Sequence, residues 1–478
     1  MKILFFGTGR FYQRRKSVLE RMHAADDVIG FVDNHATASG TFEGRRVYHP
    51  SELPSLAFDA VVLMSVSVVE MREQLLHLGI PSEKILFWGQ YAERFVAETQ
   101  QWLPKQRETE QPCTKGRILV VSGALGIGGG ILASCYAAEV LAKRGYDVTL
   151  AAPSGTAELL ASLRMASVNV WLLPGLSFLQ WHRVEQSRNF DASIVCFFQN
   201  IHVAHELSLR MPVLWWVHEP CADYHPFYPV TRYCFLSLDT NSWMWRLRIA
   251  AVSKLAKNNF EEYYPEQADA VLPLGEPDTA QPICAWCPHK IVRFAVMGAV
   301  IENKGQDIFL QAALQMPEVL QNASEFLVVG HLDETADIYQ RCKKLCSQLT
   351  QAHILGQKTP EEVAELLATV DVIVCSSLEE TMSMPIIEGM MHGKICITTD
   401  NTGVADYIED GRNGFVVEAG NVTALAQCMT QIHQQIDEMQ SIRSAARATY
   451  ETHFTMEAFG ERLEAELQAA KRKWKAKG

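Results

Sequence analysis

Residues 371–393 read Asp371-Val-Ile-Val-Cys375-Ser-Ser-Leu-Glu-Glu380-Thr-Met-Ser-Met-Pro385-Ile-Ile-Glu388-Gly-Met-Met-His392-Gly393. After Asp371 the run Val372–Cys375 is apolar and largely β-branched, the pattern of a strand buried on both faces. Pro385 opening a helical stretch and Gly393 just past its end match the usual asymmetry of helix termini. A parallel α/β sheet binds ligands where loops and helix N-termini converge at the carboxyl ends of its strands. The backbone N–H groups around Met382 to Ile386 therefore point out of a helix N-terminus, an anion site suited to a diphosphate. Glu380 falls on the loop side of this site and Glu388 one turn into the helix. A carboxylate accepts hydrogen bonds from vicinal hydroxyls, so one glutamate suits a sugar and the other a ribose. Taken alone, the pair fits equally a helix-dipole complement beside a solvated side chain.

Working outward, three strand–glycine-loop–helix openings divide the chain. The first is Lys2–Phe6 followed by Gly7-Thr8-Gly9, with apolar runs at Val28–Val32, Ala60–Met64 and Ile85–Phe87 and a helical pattern at Val69–Leu78. The second is Arg117–Val121, then a loop containing Gly126, Gly128, Gly129 and Gly130, a helix Ile131–Arg144 and a strand Asp147–Ala151. The third is Arg293–Met297, Gly298, a loop ending at Lys304-Gly305 and a helix Gln306–Leu314. Strands are predicted after it at 325–329, 353–355, 395–398 and 414–417. The expected organisation is α/β throughout: a Rossmann-like accessory domain (1–95), a polar, proline-bearing linker (96–116), two doubly wound domains (117–285 and 286–460) and a basic C-terminal helix or tail (461–478).

Composition narrows the function classes. Hydrophobic residues make up 48% of the 478 and charged residues 21%, which suits a folded multidomain protein. A formal charge of −12 argues against a nucleic-acid partner, which needs a basic face. No apolar run reaches the roughly 18 residues of a membrane span. The basic residues Arg10–Lys16 follow the first apolar run instead of preceding it, unlike a secretory leader. Twelve cysteines without paired spacing read as reduced thiols of a cytoplasmic protein. Cys284-Ala-Trp-Cys287-Pro-His289 lacks the further ligands of a structural zinc, and Cys342 and Cys346 read as ordinary helix thiols.

The spacing Ser376-x3-Glu380-x4-Pro385-x2-Glu388-x-Met390-x2-Gly393, followed by Asp400-x2-Gly403-x2-Asp406-x3-Asp410-Gly411-x2-Gly414-Phe415, resembles the donor-site signature of GT-B glycosyltransferase family 4. The resemblance covers about residues 117–460 and implies two facing Rossmann-like domains. It also implies a retaining transfer from a nucleotide-sugar donor to a glycan or lipid-linked acceptor, as in cell-surface polysaccharide assembly. On this resemblance Glu380 would contact hydroxyls of the transferred sugar and Glu388 the nucleotide ribose. The backbone of Met382, Ser383 and Met384 would meet the diphosphate. Lys304, in Asn303-Lys304-Gly305 after the strand-end Gly298, matches the family lysine that neutralises the departing diphosphate, and Gly298 and Asn303 go with it to the donor side. His218, at the end of the strand Pro212–Val217, matches a family histidine facing the donor sugar. The Gly128-Gly129 loop lets backbone pass close to a phosphate or acceptor. Two departures stand out: Ala299 replaces the usual arginine after the strand-end glycine, and Thr381-Met-Ser-Met384 replaces a Gly-Phe-Gly-Leu loop.

No Asp-x-Asp metal clamp lies near the strand ends, so no metal or other cofactor is expected, with Lys304 and a helix N-terminus opposite the diphosphate. The alternatives are a non-catalytic nucleotide-sugar-binding partner of another transferase, which Ala299 favours, and a GT-B sugar-nucleotide epimerase. In the accessory domain, Gly7-Thr-Gly9 and Asp33 stand where a dinucleotide fold holds phosphate and ribose, but the third glycine is missing. A docking or oligomerisation role is the stronger expectation there, nucleotide binding the weaker. The basic tail Lys471–Lys477 suggests peripheral contact with an anionic inner membrane leaflet, or a solvated helix end.

Overall fold

The computed structural model describes the chain except for residues 14, 17–18, 21–25, 38–39, 66, 107–113, 127, 180, 182–183, 185–188, 222–242, 266, 281–290 and 477–478. The Cys284–His289 cluster and the boundary expected at 285/286 lie outside the described residues. The chain forms two compact units, the first holding residues 1–215 with 243–248 and 467–476, the second 216–221 with 249–466.

In the first unit, β1 (Lys2–Phe6), β2 (Asp27–Val32), β3 (Thr41–Phe42), β4 (Arg45–Tyr48), β5 (Ala60–Leu63) and β6 (Ile85–Phe87) form a sheet of order β3-β4-β2-β1-β5-β6. All its pairings are parallel except the β3–β4 hairpin. Side chains alternate across a strand, and on β1 Ile3 and Phe5 enter one core while Leu4 and Phe6 enter another. Burial on both faces is why β1 reads as an uninterrupted apolar run.

The stretch expected to be a linker adds a strand. β7 (Gln101–Leu103) pairs antiparallel with β10 (Asn169–Leu172), at the edge of a parallel set β11-β8-β9-β10 made with β8 (Arg117–Val121), β9 (Asp147–Ala152) and β11 (Ala192–Cys196). Trp102 meets Trp171 edge-on at 6.0 Å, and the Asn169 side chain accepts from the Lys105 amide. Few aliphatics were visible in this stretch because an edge strand held by an indole pair needs few.

β12 (Val213–Val217) carries the chain from the first unit into the second, where β13 (Arg248–Ala251) and β14 (Ala270–Val271) pair in parallel. The main sheet of the second unit is wholly parallel, in the order β17-β16-β15-β18-β19-β20. Its strands are β15 (Val292–Met297), β16 (Ser324–Val329), β17 (Ala352–Gly356), β18 (Val372–Val374), β19 (Ile395–Thr399) and β20 (Phe415–Val417). In each sheet the chain runs outward from one strand and then returns to that strand's other side. These reversals fall between β1 and β5, β8 and β11, and β15 and β18, and such switch points leave a crevice at the strand ends.

The C-terminal helix Met456–Lys475 brings the Trp474 indole to donate to the Ser208 carbonyl, so the aromatic residue of the basic tail packs on its own chain. No helix among the described residues is long and apolar enough to cross a membrane.

Candidate functional site at the β15/β18 switch point

β15 and β18 are hydrogen-bonded neighbours, so the segments leaving them, 298–305 and 375–384, emerge side by side. Their mutual fit depends on glycine. Gly305 adopts φ +62°, and a Cβ there would lie 2.2 Å from the Ser376 carbonyl oxygen. The Ser376 hydroxyl donates to the carbonyls of Lys304 and Gly305, at 3.1 and 2.7 Å. The Leu378 amide donates to the Asn303 carbonyl, and the Asn303 side-chain amide donates to the Glu379 carbonyl at 2.6 Å. Asn303, expected on the donor side, thus clamps the loop that carries the glutamates. Gly298, at φ +133°, sits 3.9 Å (as a built Cβ) from Lys304 Cε, leaving the lysine stem room to cross it.

The two adjacent glutamates take opposite roles. Glu379 turns to protein, its carboxylate accepting from the Cys221 amide at 2.7 Å and from Asn259 Nδ2 at 2.6 Å. Glu380 turns to the crevice, where its carboxylate pairs with Lys304 Nζ. Its backbone is fixed by Glu380 N to Asn401 O and Gly403 N to Glu380 O. Burial pushes the Lys304 ammonium below the usual lysine range. The recess around the pair, lined by Met297, Ser376, Ser377, Ser383 and Pro385 among others, has a volume near 10 Å³. That holds about one water, so a diphosphate would have to lie across its mouth.

Above the recess the helix Met384–Met391 begins with Pro385 in its first turn, and the Ser383 side chain makes no capping hydrogen bond. Met382 and Ser383 are buried, so it is backbone that this loop offers to a ligand. One turn in, burial pushes the Glu388 carboxyl up to about 7. Its neighbour is Glu276, fully buried, held by Glu276 N to Phe454 O, and raised well above the carboxylate range by burial and by the Glu388 charge. Oε1 of Glu276 has no hydrogen-bond partner among the described residues. Two close carboxyls in a dry setting resist ionising together, so this pair retains a proton near neutral pH. Nothing local in the sequence marks Glu276, which stands between Gly275 and Pro277 with a second acid, Asp278, two residues on.

His218 follows β12 and is buried against Trp216, ring centroids 4.2 Å apart. Its carbonyl accepts from the Thr381 hydroxyl at 2.6 Å, which ties it to the Glu380 loop. Burial pulls its imidazole down to about 3, so it is neutral at physiological pH and offers hydrogen bonds without charge. At the position of the missing arginine, the Ala299 carbonyl accepts from Gln306 Nε2. Arg341 reaches this loop but is paired with Glu302 and with Asp307, the latter at 3.2 Å. Gly128 and Gly129 lie in the first unit, where Gly129 opens the helix Gly129–Lys143. The thiols of Cys342 and Cys346 are raised by burial, to about 12 and about 11, and so remain protonated.

Parts of the chain are similar to known proteins. Residues 291–435 match the family described as glycosyl transferases group 1, and residues 1–86 match the C2185-like N-terminal family. The putative glycosyltransferase EpsD of Bacillus subtilis (strain 168) is 28% identical over 148 residues, 31% of this chain and 38% of that protein. The amylovoran biosynthesis glycosyltransferase AmsK of Erwinia amylovora is 23% identical over 180 residues, 35% of this chain and 42% of that protein. The matching stretches thus span less than half the length of these relatives. Among solved structures, Anabaena Alr3699/HepE in complex with UDP-glucose superposes with a TM-score of 0.61 at 17% identity, over 74% of this chain and 100% of that one. WaaG, a glycosyltransferase involved in lipopolysaccharide biosynthesis, gives 0.55 at 16%, over 73% and 98%. At such identities the likeness speaks to the fold, which is GT-B. Residues 291–435 are therefore similar to the glycosyl transferases group 1 family and residues 1–86 to the C2185-like N-terminal family, on a GT-B fold.

Proposed function

We propose that the protein is a retaining, metal-independent glycosyltransferase that moves a sugar from a nucleotide-sugar donor to a glycan or lipid-linked acceptor in polysaccharide biosynthesis. The observation that carries this reading is the Lys304–Glu380 ion pair at the β15/β18 switch point, beneath the uncapped N-terminus of the helix Met384–Met391. The donor's diphosphate lies across that N-terminus. As the bond from the anomeric carbon to the diphosphate oxygen breaks, negative charge grows on the leaving group. Lys304 and the helix amides meet that charge in place of a metal ion. Glu380, held by Lys304, orients sugar hydroxyls and does not serve as a covalent nucleophile. Glu388 takes the ribose, with Glu276 behind it keeping the shared proton. HepE's complex with UDP-glucose and the polysaccharide assignments in the names of AmsK and WaaG support this substrate class.

Nucleoside diphosphate release from a panel of UDP-, GDP-, ADP- and dTDP-sugars with acceptor extract tests the proposal. Release should depend on acceptor and disappear in Glu380→Ala. Ala299 leaves room for a second reading, a chain that binds nucleotide sugar without transferring it. Donor binding with no release from any donor would establish that reading and sink the transferase. We further propose a cytoplasmic enzyme working at the inner membrane face. Unchanged sedimentation with anionic vesicles after removal of residues 471–478 would count against that location.

A further inference from the structure

A second crevice, independent of the donor site, lies wholly within the first unit. It encloses about 830 Å³ and is bordered by the exits of β1, β2, β5 and β6. Residues following β8, β9, β10 and β11 close it from the other side, among them Gly123, Ser154 and Gln199. Two switch points, β1/β5 and β8/β11, thus open into one cavity whose size is typical of small-molecule sites, about 300–1,000 Å³.

The glycines at its edge differ in a telling way. Gly7 is needed for packing: its φ is +112°, and a Cβ would sit 2.6 Å from the Met64 carbonyl oxygen. Gly9 has no such reason, because a Cβ there would meet nothing within 4 Å, and it fronts the cavity. Asp33, leaving β2, is held in place by the Thr8 hydroxyl on Oδ2 (2.8 Å) and the His35 amide on Oδ1 (2.9 Å). Each oxygen keeps a lone pair for a further donor, a match for two vicinal hydroxyls. Arg10 and Arg15 border the same end, the latter lying over the Phe11 ring at 3.5 Å. Apolar walls from Leu63, Val68, Met71 and Trp88 complete the cavity.

We propose that this cavity is a second nucleotide site, in which Asp33 takes the ribose diol, the Gly9–Arg10 edge takes the phosphates and the apolar wall takes the base. An occupant would touch both sheets of the unit, so the accessory domain acts as a ligand-holding module and not only as a docking surface.

Calorimetric titration of the full-length chain tests this, with ADP, GDP, UDP and NAD⁺ as probes. Lys304→Ala/Glu388→Gln weakens the donor site, and should leave one equivalent of at least one probe bound with undiminished affinity. In that background Gly9→Leu, which fills open space, should abolish the remaining binding while the melting temperature stays unchanged. Asp33→Asn should weaken it about tenfold or more, the scale of a hydrogen bond to a charged group. The 2′-deoxy analogue should bind more weakly than the ribonucleotide to the otherwise intact site, and equally well once Asp33 is replaced. Three results would overturn the proposal: no probe bound once the donor site is disabled, binding indifferent to Gly9→Leu, or no preference for ribose over deoxyribose. Glycan binding that Gly9→Leu blocks, without any nucleotide binding, would assign the cavity to an acceptor instead. None of these outcomes depends on sugar transfer, so the result stands apart from the fate of the transferase reading.

Discussion

Replacing Lys304 by methionine keeps most of the apolar stem and deletes the charge, which isolates what the ammonium does. The lysine is desolvated, Ala299 supplies no second cation, and Arg341 is already engaged by Glu302 and Asp307. At an effective dielectric near 20, a unit charge about 4 Å from the leaving oxygen contributes ~4 kcal/mol. Loss of one preorganised charge stabiliser in an active site costs roughly 10²–10³ in kcat. Both routes predict that Lys304→Met lowers kcat by about 10²–10³. Because the departing diphosphate gains charge that the bound donor lacks, KM for donor should change by less than about tenfold. The assay is nucleoside diphosphate release at saturating donor and acceptor for wild type, Lys304→Met and Lys304→Arg. The variant also leaves Glu380 without its partner, so thermal unfolding must show that the fold persists. A folded Lys304→Met chain with kcat within threefold of wild type refutes the argument. So does a rise in KM alone, which would make the lysine a ground-state anchor.

Other expectations follow from neighbouring contacts. Glu379→Ala should lose stability, about 1–3 kcal/mol for two hydrogen bonds to a charged group, whereas Glu380→Ala should lose turnover, and chemical denaturation beside kinetics separates the two. Gly305→Ala forces a Cβ to 2.2 Å from the Ser376 oxygen at positive φ, and should cost more than about 1 kcal/mol and loosen Lys304. The Glu276–Glu388 pair is protonated in the folded chain at pH values where the unfolded chain is ionised. Its effect is therefore to lower stability as pH rises from about 4.5 to about 7. Glu276→Gln should flatten that decline, and an unchanged slope in denaturant titrations across this range would show that the two groups are not linked. The buried His218 imidazole, drawn down to about 3, acts in the opposite direction: stability falls as pH drops below about 6.5, where the unfolded histidine takes up a proton. His218→Asn should remove that acid sensitivity and leave the shape of the pH–rate profile near 6.5 unchanged.

Much of the fold was legible because its strands are buried on both faces and its helices begin and end on strong local signals. Strand Arg117–Val121, the helix start at Gln306 and the Pro385–Gly393 helix all follow from continuous β-branched runs, proline and glycine, which act within a few residues. The same locality explains why the polar stretch 96–116 hid β7, whose pairing partner Trp171 lies some seventy positions away. Sequence spacing alone put Glu380 and Glu388 beside one helix N-terminus. The resemblance to a donor-site spacing singled out Glu380; what turns Glu379 the other way, Asn259 and the Cys221 amide, only the folded chain brings near. Glu276 escaped for the same reason: burial and a second carboxylate, not any local motif, raise its proton affinity. Chemistry carried by backbone geometry was written in the sequence, while charge pairing, desolvation and the shared cavity of two switch points were decided by tertiary structure, since each depends on groups distant in the chain.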